Sequence, residues 1–154
     1  MSRPSLSVSE DVALLILRLG GLSLALVHGW GKVVALSSGQ ASAFVSGVAA
    51  LGFPLPGLFA WAAALSEFLG GLLVAIGLKA RIAAVFAAFT MLVAAVVQHH
   101  AFGHLLAAAG WRSVPAETLQ AWGNPELALL YLGLFVVVML RGAGRLSLDG
   151  FLGR

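Results

Sequence analysis

His28 and Lys32 stand four positions apart in LALVHGWGKVVAL, residues 24–36, a stretch otherwise apolar enough to sit in lipid. At about 100° per residue, Arg18, Gly21, Ala25, His28, Gly29 and Lys32 fall within an arc of roughly 100°, with Leu and Val over the rest. A second apolar stretch, WAAALSEFLGGLLVAIG, repeats the pattern: Ala60, Ala63, Glu67, Gly70, Gly71 and Val74 share one stripe. An ionised carboxylate at mid-span costs about 2.5–3.5 kcal/mol on insertion scales, so Glu67 must be protonated, paired or hydrated. Two chemistries fit. Arg18, His28, Lys32 and Glu67 can form a buried charge network that fixes helix register. Alternatively they form a quinone or proton site, in which His28 or Lys32 donates to a carbonyl oxygen and Glu67 exchanges the proton.

A further set of ionisable groups closes a third apolar run in VVQHHAFGH. His100 and His104 are four apart, and with His99 they are candidate ligands for a metal ion or haem. No HExxH accompanies them. Asn124, Pro125 and Glu126 read as a helix start: Asn124 as the cap, Pro125 in the first turn, and Glu126 at the positive end of the dipole. Glu126 joins Lys32 and the histidines on one side of the membrane as a candidate ligand-binding residue. Tyr131 reads as interfacial. GAG at 142–144 follows an apolar span rather than a strand, which excludes a dinucleotide loop.

The elements that must position these groups are membrane helices. Of 154 residues, 60% are hydrophobic and 10% charged, and the mean hydropathy is +1.01. These values mark an all-α integral membrane protein. The pI near 10.2 comes with a net charge of only +3 and no basic run, which excludes nucleic acid as a partner. The absence of cysteine removes thiol exchange and thiolate metal sites, so redox chemistry needs a bound cofactor or a partner subunit. Residues 1–154 read as one domain, a four-helix bundle with spans of roughly 12–36, 57–78, 80–100 and 125–141. The first span is too long, and too interrupted by Arg18, for a cleaved signal peptide. Arg3, Lys79, Arg81, Arg141, Arg145 and Arg154 fall on one side of such a chain, which puts both termini in the cytoplasm. In the first outer connection, residues 38–56, Phe44, Val48 and Leu51 repeat at helical spacing. Both it and the second, residues 101–124, with GHLLAAAGW and PAETLQAW, are expected to form short interfacial helices, with Trp30, Trp61, Trp111 and Trp122 at headgroup level. Rise per residue places Glu67 about 15 Å and His28 about 12 Å below the outer boundary. Arg18, about 9 Å above the inner one, is expected to climb and meet Glu67 together with His28.

RLGGLSLALVHGWGK, GFPLP, SEFLGGLLVAIGLKAR and PELALLYLGLFVVVMLRGAGRLSLDG, in that order along nearly the whole chain, resemble the DoxX family. The ExxGG of the second span and the closing GRLSLD are the most specific elements. The resemblance implies a compact four-helix bundle in a bacterial-type inner membrane and a redox-linked role near the quinone pool, beside a partner oxidoreductase. Membrane lipid, a redox partner subunit and a second copy of the chain are the partners in view. The resemblance also implies that Arg18, His28, Gly29, Lys32, Glu67, Gly70, Gly71 and Glu126 occupy family positions. The other reading is a non-catalytic scaffold or small-solute carrier whose polar network is structural.

Overall fold

The computed structural model describes residues 7–153; Arg3 and Arg154, both used above to orient the chain, lie outside the described residues. Among the described residues eight helices follow one another. They are α1 (Val8–Ser37), α2 (Ser42–Ala50), α3 (Pro56–Ile76), α4 (Ala80–Gln98), α5 (Ala101–Ala108), α6 (Ala116–Trp122), α7 (Glu126–Arg141) and α8 (Leu148–Phe151). Helices α1, α3 and α4, of 30, 21 and 19 residues, are each long and apolar enough to cross a membrane. Helix α7 has 16 residues, about 24 Å at 1.5 Å per residue, short of a roughly 30 Å hydrocarbon core. Its start is set by Gly123, which takes φ +72°, and by Pro125 just after it. The chain bends by 46° between α6 and α7. Short helices α2, α5 and α6 occupy the two long connections, as expected.

The four long helices close a ring in which α1 packs on α3 and α7, and α4 packs on α3 and α7. The alanines of α4 explain the tight centre. Ala80, Ala83, Ala84, Ala87 and Ala88 are buried against Phe135 and Val138 of α7, while Ile82, Phe86 and Phe89 on the opposite face are exposed to the lipid position. Between α1 and α3 the backbones nearly touch. A β-carbon on Gly21 would lie 2.8 Å from the Gly71 carbonyl oxygen, and one on Gly29 would lie 2.5 Å from the Phe68 nitrogen. Small residues at this seam permit the close approach that membrane helix packing depends on.

One end of the bundle, here the turn end, carries the tight turn after α3 and the segment following α7. Helix α1 starts at Val8, earlier than the apolar run suggests, because Ser7 and Glu10 form a capping box. Glu10 pairs with Arg141 at 2.6 Å and Asp11 with Arg145 at 2.5 Å. The two carboxylate oxygens of Asp149 accept from the backbone N–H of Lys79 and Ala80 at 2.8 and 2.9 Å, and the Asp149 N–H donates to Gly77 O at 2.8 Å. GRLSLD therefore ties the start of α1, the end of α3 and the start of α4 together. The opposite end, the loop end, carries residues 38–55 and 99–125.

Candidate functional site

Three of the four long helices widen into a π-helical turn: Leu24–Gly29 in α1, Ser66–Gly70 in α3 and Ala94–Gln98 in α4. The Trp30 N–H donates to Ala25 O, and the His99 N–H to Ala94 O at 2.9 Å, each five residues back. Such turns recur at functional sites because the extra residue re-aims side chains. Here they line a cavity of about 240 Å³ in the loop-end half of the bundle. All three contribute to its lining, with Leu24 and His28, Glu67, and Ala94 and Gln98.

On the α1–α3 side the cavity is lined by His28, Lys32 and Glu67; on the α4–α7 side by Gln98, His99, Asn124 and Tyr131, with Leu24, Met91, Leu127 and Ala128 supplying apolar surface. The Lys32 ammonium donates to both Glu67 oxygens, at 2.6 and 2.7 Å. The Glu67 side chain is 4% exposed and that of Lys32 is 32% exposed. Lys32 also lies 5.3 Å from the centre of the Phe44 ring on α2, within cation–π range. His28 stands edge-on to Tyr131, with ring centres 6.1 Å apart. His99 Nδ1 lies 2.9 Å from the Trp122 carbonyl oxygen. A carbonyl only accepts, so Nδ1 carries the hydrogen and Nε2 of the neutral ring keeps the lone pair.

Several expectations need correction. Arg18 does not meet Glu67. It is buried at 1% exposure and donates to the carbonyl oxygens of Ala75, at 3.3 Å, and Leu146, at the turn end. The cause is side-chain direction: Cβ vectors lean toward a helix's N-terminus. Arg18 on α1 therefore leans to the turn end, away from Glu67. Lys32, about 21 Å further along, leans down into the bundle, and Glu67 on the antiparallel α3 leans up toward it. Glu126 is exposed and serves its own helix start, where Asn124 Oδ1 accepts from its N–H at 2.8 Å and Asn124 Nδ2 donates to its carboxylate at 3.2 Å. It does not line the cavity. His99, His100 and His104 are not gathered as metal ligands, and no group of three or more His, Cys, Asp or Glu that could hold a metal occurs among the described residues. His100 and His104 instead pack on the Trp122 ring, 4.7 and 5.8 Å away. Tyr131 is buried rather than interfacial, and its hydroxyl lies 3.0 Å from Ser23 Oγ. Gln98 and Asn124 are cavity-lining residues that the sequence does not mark as such: Gln98 is placed by the π-helical turn that ends α4, and Asn124, the cap expected of it, by the bend between α6 and α7.

Residues 13–100, more than half of the chain, match the family model for DoxX. The chain belongs to the DoxX family. It is similar to the inner membrane protein YphA of Escherichia coli (strain K12), 29% identical over 141 residues that cover 92% of this chain and 91% of that protein. No solved structure matches the chain. The span-length helices and the inner-membrane relative agree on a multi-pass inner-membrane DoxX protein. The DoxX match contains Lys32, His28 and Glu67, and it ends at the loop-end tip of α4. Gln98 and His99 are among its last residues, while Asn124 and Tyr131 lie beyond it.

Proposed function

We propose that this DoxX protein binds the headgroup of a quinone, or of a similar amphipathic molecule, in the loop-end cavity and serves a partner oxidoreductase in the inner membrane. The observation that carries this reading is the lining itself. A cavity in the loop-end half of the bundle has an ion pair on one wall, amides and an imidazole on the other, and apolar surface between them. Its volume equals about eight waters at roughly 30 Å³ each, and it lies below the roughly 300–1,000 Å³ of drug-sized sites. That suits one ring with its substituents, leaving an apolar tail to pass Leu127 toward lipid. A bound quinone supplies two-electron, two-proton chemistry. Lys32, Gln98, Asn124 and the Tyr131 hydroxyl offer donors to its oxygens, and His28 and Glu67 hold or move protons beside them. The electrons belong to the partner. In the orientation set by Lys and Arg, both termini are cytoplasmic and the cavity faces the outer leaflet.

The competing reading is a scaffold, favoured by the closed Lys32–Glu67 pair, in which each charge already satisfies the other. Purified protein in nanodiscs separates the two. A quinone in the organic extract, displaced by a short-chain analogue, lost in Lys32→Met and held more weakly in Tyr131→Phe, supports the first. An empty extract, no Soret band and no analogue binding by wild type would leave the scaffold.

A further inference from the structure

We infer that the cavity is a vestibule entered from the loop end alone, so that Glu67 exchanges its proton with water on that side of the membrane and not the other. The lining grades outward. Glu67 and Met91 are buried, His28, Lys32 and His99 are half-buried, and Gln98, Asn124 and Leu127 are exposed at the mouth between the end of α4 and the start of α7. Toward the turn end the lining gives way to a close-packed apolar layer. One step below the cavity lie Val74 of α3, Ala84 and Ala87 of α4, and Phe135 and Val138 of α7, all 0% exposed. Beneath α1's Leu24 the Gly21–Gly71 contact closes the seam between α1 and α3. Arg18 and the Asp11–Arg145 pair then cross the base. An apolar, close-packed layer of this kind holds no water, because water needs two to four polar partners.

The ionisable groups the vestibule brings to Glu67 come from three helices: His28 and Lys32 of α1, His99 at the end of α4, and Tyr131 of α7. His99 stands nearest the mouth, with Nδ1 engaged by Trp122 O and Nε2 available to accept. A proton that neutralises Glu67 forms an O–H bond there, leaves Lys32 as the uncompensated cation, and is drawn from loop-side water. Its release returns it to the same side. This holds whatever ligand the cavity takes, so it stands or falls apart from the quinone reading.

The chain lacks cysteine, which makes the test direct. Single substitutions Ala94→Cys and Ala128→Cys in the lining, and Val138→Cys in the layer below, are placed in vesicles of known orientation. Each is exposed to a membrane-impermeant cationic methanethiosulfonate from either side. Labelling of the first two from the loop side, at least tenfold faster than from the turn side, with Val138→Cys silent, is the expected result. Equal rates from both sides, or labelling from the turn side alone, overturn the inference. Wild-type protein gives a second measurement free of folding effects: a water-soluble carbodiimide with an amine nucleophile should modify Glu67 from the loop side only. Modification from the turn side, or none from either side, overturns it.

Discussion

The Lys32 ammonium grips both oxygens of Glu67, at 2.6 and 2.7 Å, and yet the two partners are unequally buried, at 32% and 4% side-chain exposure. That inequality predicts an asymmetric mutant cycle. Lys32→Met leaves a buried carboxyl group without its cation, whereas Glu67→Gln strands an ammonium that still reaches the loop end. Breaking a fully buried pair costs about 3–5 kcal/mol, so, scaled for exposure, Lys32→Met should cost about 2–4 and Glu67→Gln about 1–2 kcal/mol. The double variant should recover part of the loss. Thermal unfolding in detergent measures all three, and strict additivity would show that the pair does not form.

The glycines of α1 predict a graded series. A β-carbon at Gly29 meets backbone at 2.5 Å, one at Gly20 meets only the tip of Leu134, and one at Gly31 meets nothing within 4 Å. Gly29→Ala should lower the melting temperature most and Gly20→Ala much less. Gly31→Ala should be neutral or raise it, since alanine favours a helix over glycine by up to about 1 kcal/mol. If Gly29→Ala and Gly31→Ala melt together, the two helices are further apart than described.

Arg18 offers a test of place. Its guanidinium donates to carbonyls of two separate segments at the turn end, so Arg18→Met should destabilise by about 1–3 kcal/mol, the scale of stranding buried polar partners. It should leave thiol labelling of Ala94→Cys from the loop side unchanged. A change in that labelling rate at matched stability would tie Arg18 to the cavity after all.

The span pattern, the inward face of Arg18 to Lys32 and the short helices of the connections were all legible, because apolar periodicity and Gly or Pro punctuation are local signals. The partner of Glu67 was not. Depth along an ideal helix put Arg18 and His28 nearest, but depth alone ignores that side chains lean toward the N-terminus, which sends Arg18 and Lys32 in the same direction along α1. The π-helical turns left no mark, since LALVHG, SEFLG and AAVVQ contain no residue that demands one. The histidine run misled for a different reason. Spacing brings His100 and His104 to one face, but Gly103 lets Trp122 fit against that face, where a β-carbon would lie 2.6 Å from its ring.

Tyr131 separates a ligand role from a packing role most cleanly. Its hydroxyl lies 3.0 Å from Ser23 Oγ while its ring packs beside Phe135, 6.3 Å between centres, in the cavity wall. Phenylalanine keeps the ring and removes one hydrogen bond, a net change of about 0.5–1.5 kcal/mol, and Ser23 in mid-helix can turn its hydroxyl to a backbone carbonyl instead. Tyr131→Phe should therefore shift the melting temperature only slightly. If the hydroxyl also donates to a bound headgroup, analogue affinity should fall by roughly fivefold to tenfold, the scale of one neutral hydrogen bond, and Ser23→Ala should fall less. Isothermal titration in nanodiscs reads this directly. An unchanged affinity in Tyr131→Phe would move the ligand's oxygens to the Lys32 and amide walls.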